Sequence, residues 1–137
     1  MHRRDLAVFL GLELAAIVWA GALFSMLESK RLAGALAGGY FLVSGVYMLY
    51  RANRWSRKWN SATWYLLMVH VFMISTPMLV SRFLQRDLDF AQLRVLGIPG
   101  PLFHNISSGV FGALMVATVL DWIRCWWVTR RNPQEIN

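Results

Sequence analysis

The chain has 137 residues, of which 57% are apolar and 15% charged, with a mean hydropathy of +0.43. A soluble domain of that size must cover a large surface with polar groups, so this composition excludes an ordinary soluble enzyme, a disordered tail and a disulfide-rich secreted fold. The net charge of +7 raises nucleic acid as a partner, and the lone Cys125 closes no internal disulfide and fits no zinc-binding spacing.

A helix rises about 1.5 Å per residue, so roughly 20 apolar residues cross a bilayer core of about 30 Å. Four stretches meet that length, at 6–26, 32–50, 62–81 and 106–127. The expectation is an all-α membrane protein: one polytopic domain over 1–137, its four transmembrane helices forming an antiparallel bundle. The first stretch follows Met-His-Arg-Arg, and Ala20-Gly21-Ala22 resembles a signal-peptidase site. Its length and the acidic Glu13 instead favour a retained first helix.

The short connection from Leu27 to Arg31 predicts a helical hairpin. The next connection, RANRWSRKWN, is basic and aromatic and suits a headgroup layer. Between the third and fourth spans, residues 83–95 carry the pattern of an amphipathic helix lying on the outer surface, which Gly97-Ile98-Pro99-Gly100-Pro101 then breaks. Asn105-Ile106-Ser107 matches a glycosylation sequon, without meaning in a bacterial chain. Residues 132–137 read as a short frayed end.

With the N-terminus inside, Arg3, Arg4, Arg51, Arg54, Arg57, Lys58, Arg124, Arg130 and Arg131 lie on the inner side. Lys30, Arg31, Arg82, Arg86 and Arg94 lie on the outer side, nine cations against five. That asymmetry predicts cytoplasmic termini. Trp55, Trp59, Trp64, Trp122, Trp126 and Trp127 fall near the same inner face, where indoles favour headgroups. The basic excess is thus topological: the bilayer is the partner, nucleic acid is not, and a bacterial inner membrane is the expected location.

Small residues let helices approach closely in lipid. Gly34, Gly38 and Gly45 share one face of the second span, Ser108 and Gly112 (with Ala113 and Ala117) pair on the fourth, and Ala16 and Ala20 lie on the Glu13 side of the first. These faces serve either packing within the chain or a partner subunit.

Ionisable groups at membrane depth are costly and each needs a reason. Counting rise along the helices places Glu13, Ser44, His70 and Thr118 near one layer, with Tyr40 close by on the Ser44 face. Thr63, His70 and Pro77 recur every seven residues, and Pro77 frees the Met73 carbonyl. The plain reading is that this layer fixes helix order. The sharper ones make Glu13 and His70 a proton- or cation-responsive pair or a polar-ligand site, or set Glu13 against a partner's helix. Asp121 and Arg124 fit a local ion pair. Cys125, at the inner boundary, is read as a small buried residue rather than a palmitoylation site.

Haem b would need two axial histidines, and His104 lies roughly 15 Å from the depth of His70 by rise per residue. No cofactor and no metal is expected. No GxSxG, HExxH or phosphate loop is present, which argues against an enzyme. The reading is a small accessory or assembly subunit of a larger membrane complex, acting through helix contacts. The alternative is a homo-oligomeric proton, ion or small-molecule transporter or channel that uses Glu13 and His70.

Overall fold

The computed structural model describes residues 2–85 and 88–131. Arg86 and Asp87, within the expected surface helix, and the end 132–137 lie outside the described residues. Among the described residues four helices are long and apolar enough to cross a membrane. They are α1 (Arg3–Met26), α2 (Lys30–Ala52), a composite span of α3 (Ala62–Met68), a π-helical segment (Val69–Ser75) and α4 (Thr76–Leu84), and lastly α5 (Gly100–Arg131). Each contains its sequence-predicted stretch and runs beyond it, most of all α5, which starts at Gly100 rather than at 106.

Side-chain caps set two of the starts. Ser29 Oγ accepts from Leu32 N at 3.3 Å ahead of α2, and Ser61 Oγ accepts from Trp64 N at 3.2 Å ahead of α3. Pro101 stands in the first turn of α5, where a missing N–H costs nothing. Helix α1 lies against α2 and α5, α5 also lies against α3, and α2 lies against the π segment and α4. Leu6, Phe9, Met48, Trp55, Leu67 and Leu114 build the main apolar cluster. Ile74, Leu93, Val95 and Phe103 build a smaller one beside the segment that leads from α4 to α5.

The segment between α4 and α5 corrects one expectation. Residues 83–95 are not one surface helix. Helix α4 ends at Leu84, Leu93 N closes a turn onto Asp89 O at 3.0 Å, and Arg94–Val95 pairs antiparallel with Ile98–Pro99. The two-residue hairpin loop has Leu96 at φ 52° and Gly97 at φ 82°, the primed-turn geometry that matches strand twist. Leu93 and Val95 turn inward onto Ile74 and Phe103, so these apolar residues cap a core instead of facing lipid. Gly100 N then donates to Leu93 O at 2.8 Å, and a Cβ on Gly100 would stand 2.6 Å from Phe90 O. Only glycine permits that approach.

The connection between α2 and α3 also departs from a purely headgroup-facing strip. Trp55 is buried, stacked on Phe9 at 5.6 Å between ring centres, and its indole N–H donates to Asp5 Oδ2 at 3.0 Å. Trp64 is buried too, and its indole donates to Asn53 Oδ1 at 3.1 Å. Trp59 remains exposed. A buried indole needs an acceptor for its N–H, and both of these have one.

Candidate functional site

The expected polar layer separates into two pairs. Glu13 on α1 is 1% exposed, and its Oε1 lies 2.8 Å from Thr118 Oγ1 on α5. Thr118 Oγ1 also lies 2.9 Å from Leu114 O, so one hydroxyl proton faces two oxygens. Glu13 Oε2 has no hydrogen-bond partner. His70 is buried in the π segment, with Nε2 3.2 Å from Ser75 Oγ. The five-residue offset of that pair follows the i→i+5 winding of a π-helix, which brings residues five apart into register. Phe41 and Phe111 wall the imidazole, with ring centres 6.1 and 5.7 Å away. Nδ1 finds no partner of proper geometry, although the Phe41 backbone lies beside the ring.

Ser44 is buried but spends its hydroxyl locally, donating to Tyr40 O at 2.7 Å. Tyr40 sets its ring against Trp19 at 6.4 Å. Glu13 with Thr118 is therefore one tie between α1 and α5, and His70 with Ser75 is a tie within a single span. Pro77 sits at the start of α4, just past the π segment. The Thr76 hydroxyl there donates to Val71 O at 2.8 Å, again five residues back.

The glycine face of α2 is filled from within the chain. A Cβ on Gly38 would meet Leu79, and one on Gly45 would stand 3.0 Å from Val71 Cγ2. At Gly34 the Arg82 guanidinium occupies the space. The small residues of α5 differ: Ser108 and Gly112 are exposed, as are Gly109 and Ala113, and nothing lies within 4 Å of a Cβ placed on Gly109 or Gly112. A comparable strip on α1, Ala7, Gly11 and Ala15, is exposed as well, although the sequence spacing had drawn attention to Ala16 and Ala20.

Asp121 does not pair with Arg124 as expected. Buried near the end of α5, it accepts from Ser61 Oγ at 2.7 Å and from Thr63 N at 3.1 Å, while Arg124 donates to Asn60 O at 3.1 Å. Asp5 was not singled out in the sequence at all, yet it is buried and bridges Arg51 and Trp55. An acidic residue in the first turn of α1 was the available signal. Cys125 is partly buried against the main cluster. His104 is exposed and edge-on to Phe90, in surroundings separate from those of His70. Among the described residues no group of three or more His, Cys, Asp or Glu is placed to hold a metal ion.

Comparison with known protein families, characterised proteins and solved structures finds no match.

Proposed function

We propose that the chain is a small accessory or assembly subunit of a larger membrane complex. In this reading its four spans form an antiparallel bundle in a bacterial inner membrane, with both termini cytoplasmic. One observation carries it. The spaces beside Gly34, Gly38 and Gly45 of α2 are filled from inside the chain, whereas Gly109 and Gly112 on α5 face outward onto open space beside Ser108 and Ala113. In lipid, close approach at small residues is what lets a second helix seat, because helices there gain nothing from hydrophobic exclusion. The charged residues Asp5, Glu13 and Asp121 are tied to this chain's own partners, which leaves the outer faces apolar.

Native mass spectrometry on protein extracted mildly from its own membrane tests the reading. Unrelated subunits at fixed stoichiometry are expected, lost in Gly112→Leu and kept in Gly112→Ala. Recovery of a partner-free chain overturns the proposal. A reporter fused after residue 137 should read cytoplasmic, and a periplasmic signal overturns the orientation.

A homo-oligomeric transporter is the second reading, favoured by Glu13 Oε2 and His70 Nδ1, two buried polar atoms without partners. In that case Glu13→Gln abolishes flux in proteoliposomes while assembly persists.

A further inference from the structure

At the end of the spans away from the termini, a cavity of about 590 Å³ opens between α1, α2, the end of α4 and the segment leading to α5. Phe24 and Ala35 contribute apolar wall, and Leu88, Phe90 and Leu93 close it from the connecting segment. Among the described residues that line it, Lys30, Arg31 and Arg82 bring three cations against one carboxylate, Asp89.

Arg82 is the unusual member. Its guanidinium rests in the space left by Gly34 and lies 5.4 Å from the centre of the Phe90 ring. Its Nε is buried with no hydrogen-bond partner, and among the described residues the side chain has no ion pair. Buried polar groups are normally satisfied, and an unpaired arginine beside a bilayer is costly, so this one is arranged for something outside the chain. Arg31 donates to Leu88 O at 3.4 Å through a single nitrogen, Nη2, and Lys30 Nζ reaches the carbonyls of Phe24 and Leu27 at the end of α1. Both cations are thereby held at the rim, and among the described residues the other Arg31 donors take no hydrogen bond.

We propose that this cavity binds an anionic phospholipid, its phosphate held by Arg82 and Arg31 and an acyl chain lying along Phe24 and Ala35. A guanidinium fork matches phosphate oxygens, the excess of positive charge selects an anionic headgroup, and the apolar wall suits a chain that a free anion lacks. The ring of Phe90 and the bare backbone of Gly34 hold the guanidinium in place for it.

The test is native mass spectrometry of the full chain after delipidation and titration with phosphatidylglycerol, phosphatidylcholine or inorganic phosphate. Wild-type protein should retain one phosphatidylglycerol in preference to phosphatidylcholine. Arg82→Gln should weaken that binding by about tenfold or more, the scale of one charge-assisted contact. Gly34→Ala, which keeps every charge but displaces the guanidinium, should weaken it in the same direction, whereas Arg57→Ala at the other end should not. Circular-dichroism melts establish that each variant is folded, and Arg31→Gln provides a second reading if Arg82→Gln is not. Equal binding of phosphatidylcholine, equal loss in Arg57→Ala, or displacement of the lipid by inorganic phosphate each overturns the proposal.

Discussion

The carboxylate of Asp121 accepts the Ser61 hydroxyl at 2.7 Å, joining the last turns of α5 to the residue that opens α3. The same oxygen takes the Thr63 amide at 3.1 Å, and the Ser61 oxygen takes the Trp64 amide at 3.2 Å. Two of the free amides at the start of α3 are thus satisfied through one buried relay. Asp121→Ala should leave Ser61 and the Thr63 amide unsatisfied and lower stability by about 1–3 kcal/mol. Asp121→Asn, which keeps an acceptor, should recover part of that loss. Unfolding in mixed micelles followed by circular dichroism measures both.

Thr118→Val should cost about 1–3 kcal/mol, because it strands a fully buried Glu13 without its partner. Replacing both, as Glu13→Leu with Thr118→Val, should recover most of the loss, since apolar groups need no partner there. The cycle of single and double variants gives the coupling directly. If the two changes simply add, the tie contributes nothing.

Trp55→Phe keeps an aromatic ring against Phe9 but removes the indole N–H that Asp5 accepts. The expected loss is about 1.5–3 kcal/mol, the range for a hydrogen bond to a charged group. Arg51→Gln acts on the exposed side of the same carboxylate and should change stability less. Thermal melts of the two variants side by side show the order.

Leu96 has no glycine freedom at φ 52°, and its side chain is exposed. Left-handed backbone costs an ordinary residue roughly 1–2 kcal/mol. Leu96→Asn places Asn-Gly in the hairpin loop, a favoured pairing for that turn, and should stabilise the hairpin. Slower amide exchange at Val95 is the readout, and unchanged exchange counts against it.

Gly45→Val should strain the contact of α2 with Val71 and His70, at a cost of about 1–3 kcal/mol for overpacking. The corresponding change at Gly112 meets open space and should leave the isolated chain as stable as before. Melting temperatures of the purified variants separate the two glycines.

The spans were legible because a long apolar run is a one-dimensional signal, and lipid enforces helix wherever it occurs. Glu13 and Thr118, which counting rise puts near one layer, share a hydrogen bond. His70 meets Ser75 within its own span, a contact that counting at 3.6 residues per turn along an unbroken α-helix does not reach. The π winding brings Ser75 to the imidazole instead. Asp121 was assigned to Arg124 because the nearest opposite charge in sequence is three residues away. Its partners are sixty and fifty-eight positions distant, and nothing local marks them. The hairpin was hidden because Leu96, a poor resident of left-handed backbone, disguised the turn.

Helix α5 has 32 residues, against 24 in α1 and 23 in α2. At about 1.5 Å per residue it is about 48 Å long, and fitting that within a core of about 30 Å would require a tilt near 50°, beyond the usual range of transmembrane helices. In a bilayer it would extend past the hydrocarbon core. Within the chain, Thr118 fastens this rod to α1 and Asp121 fastens it to the start of α3.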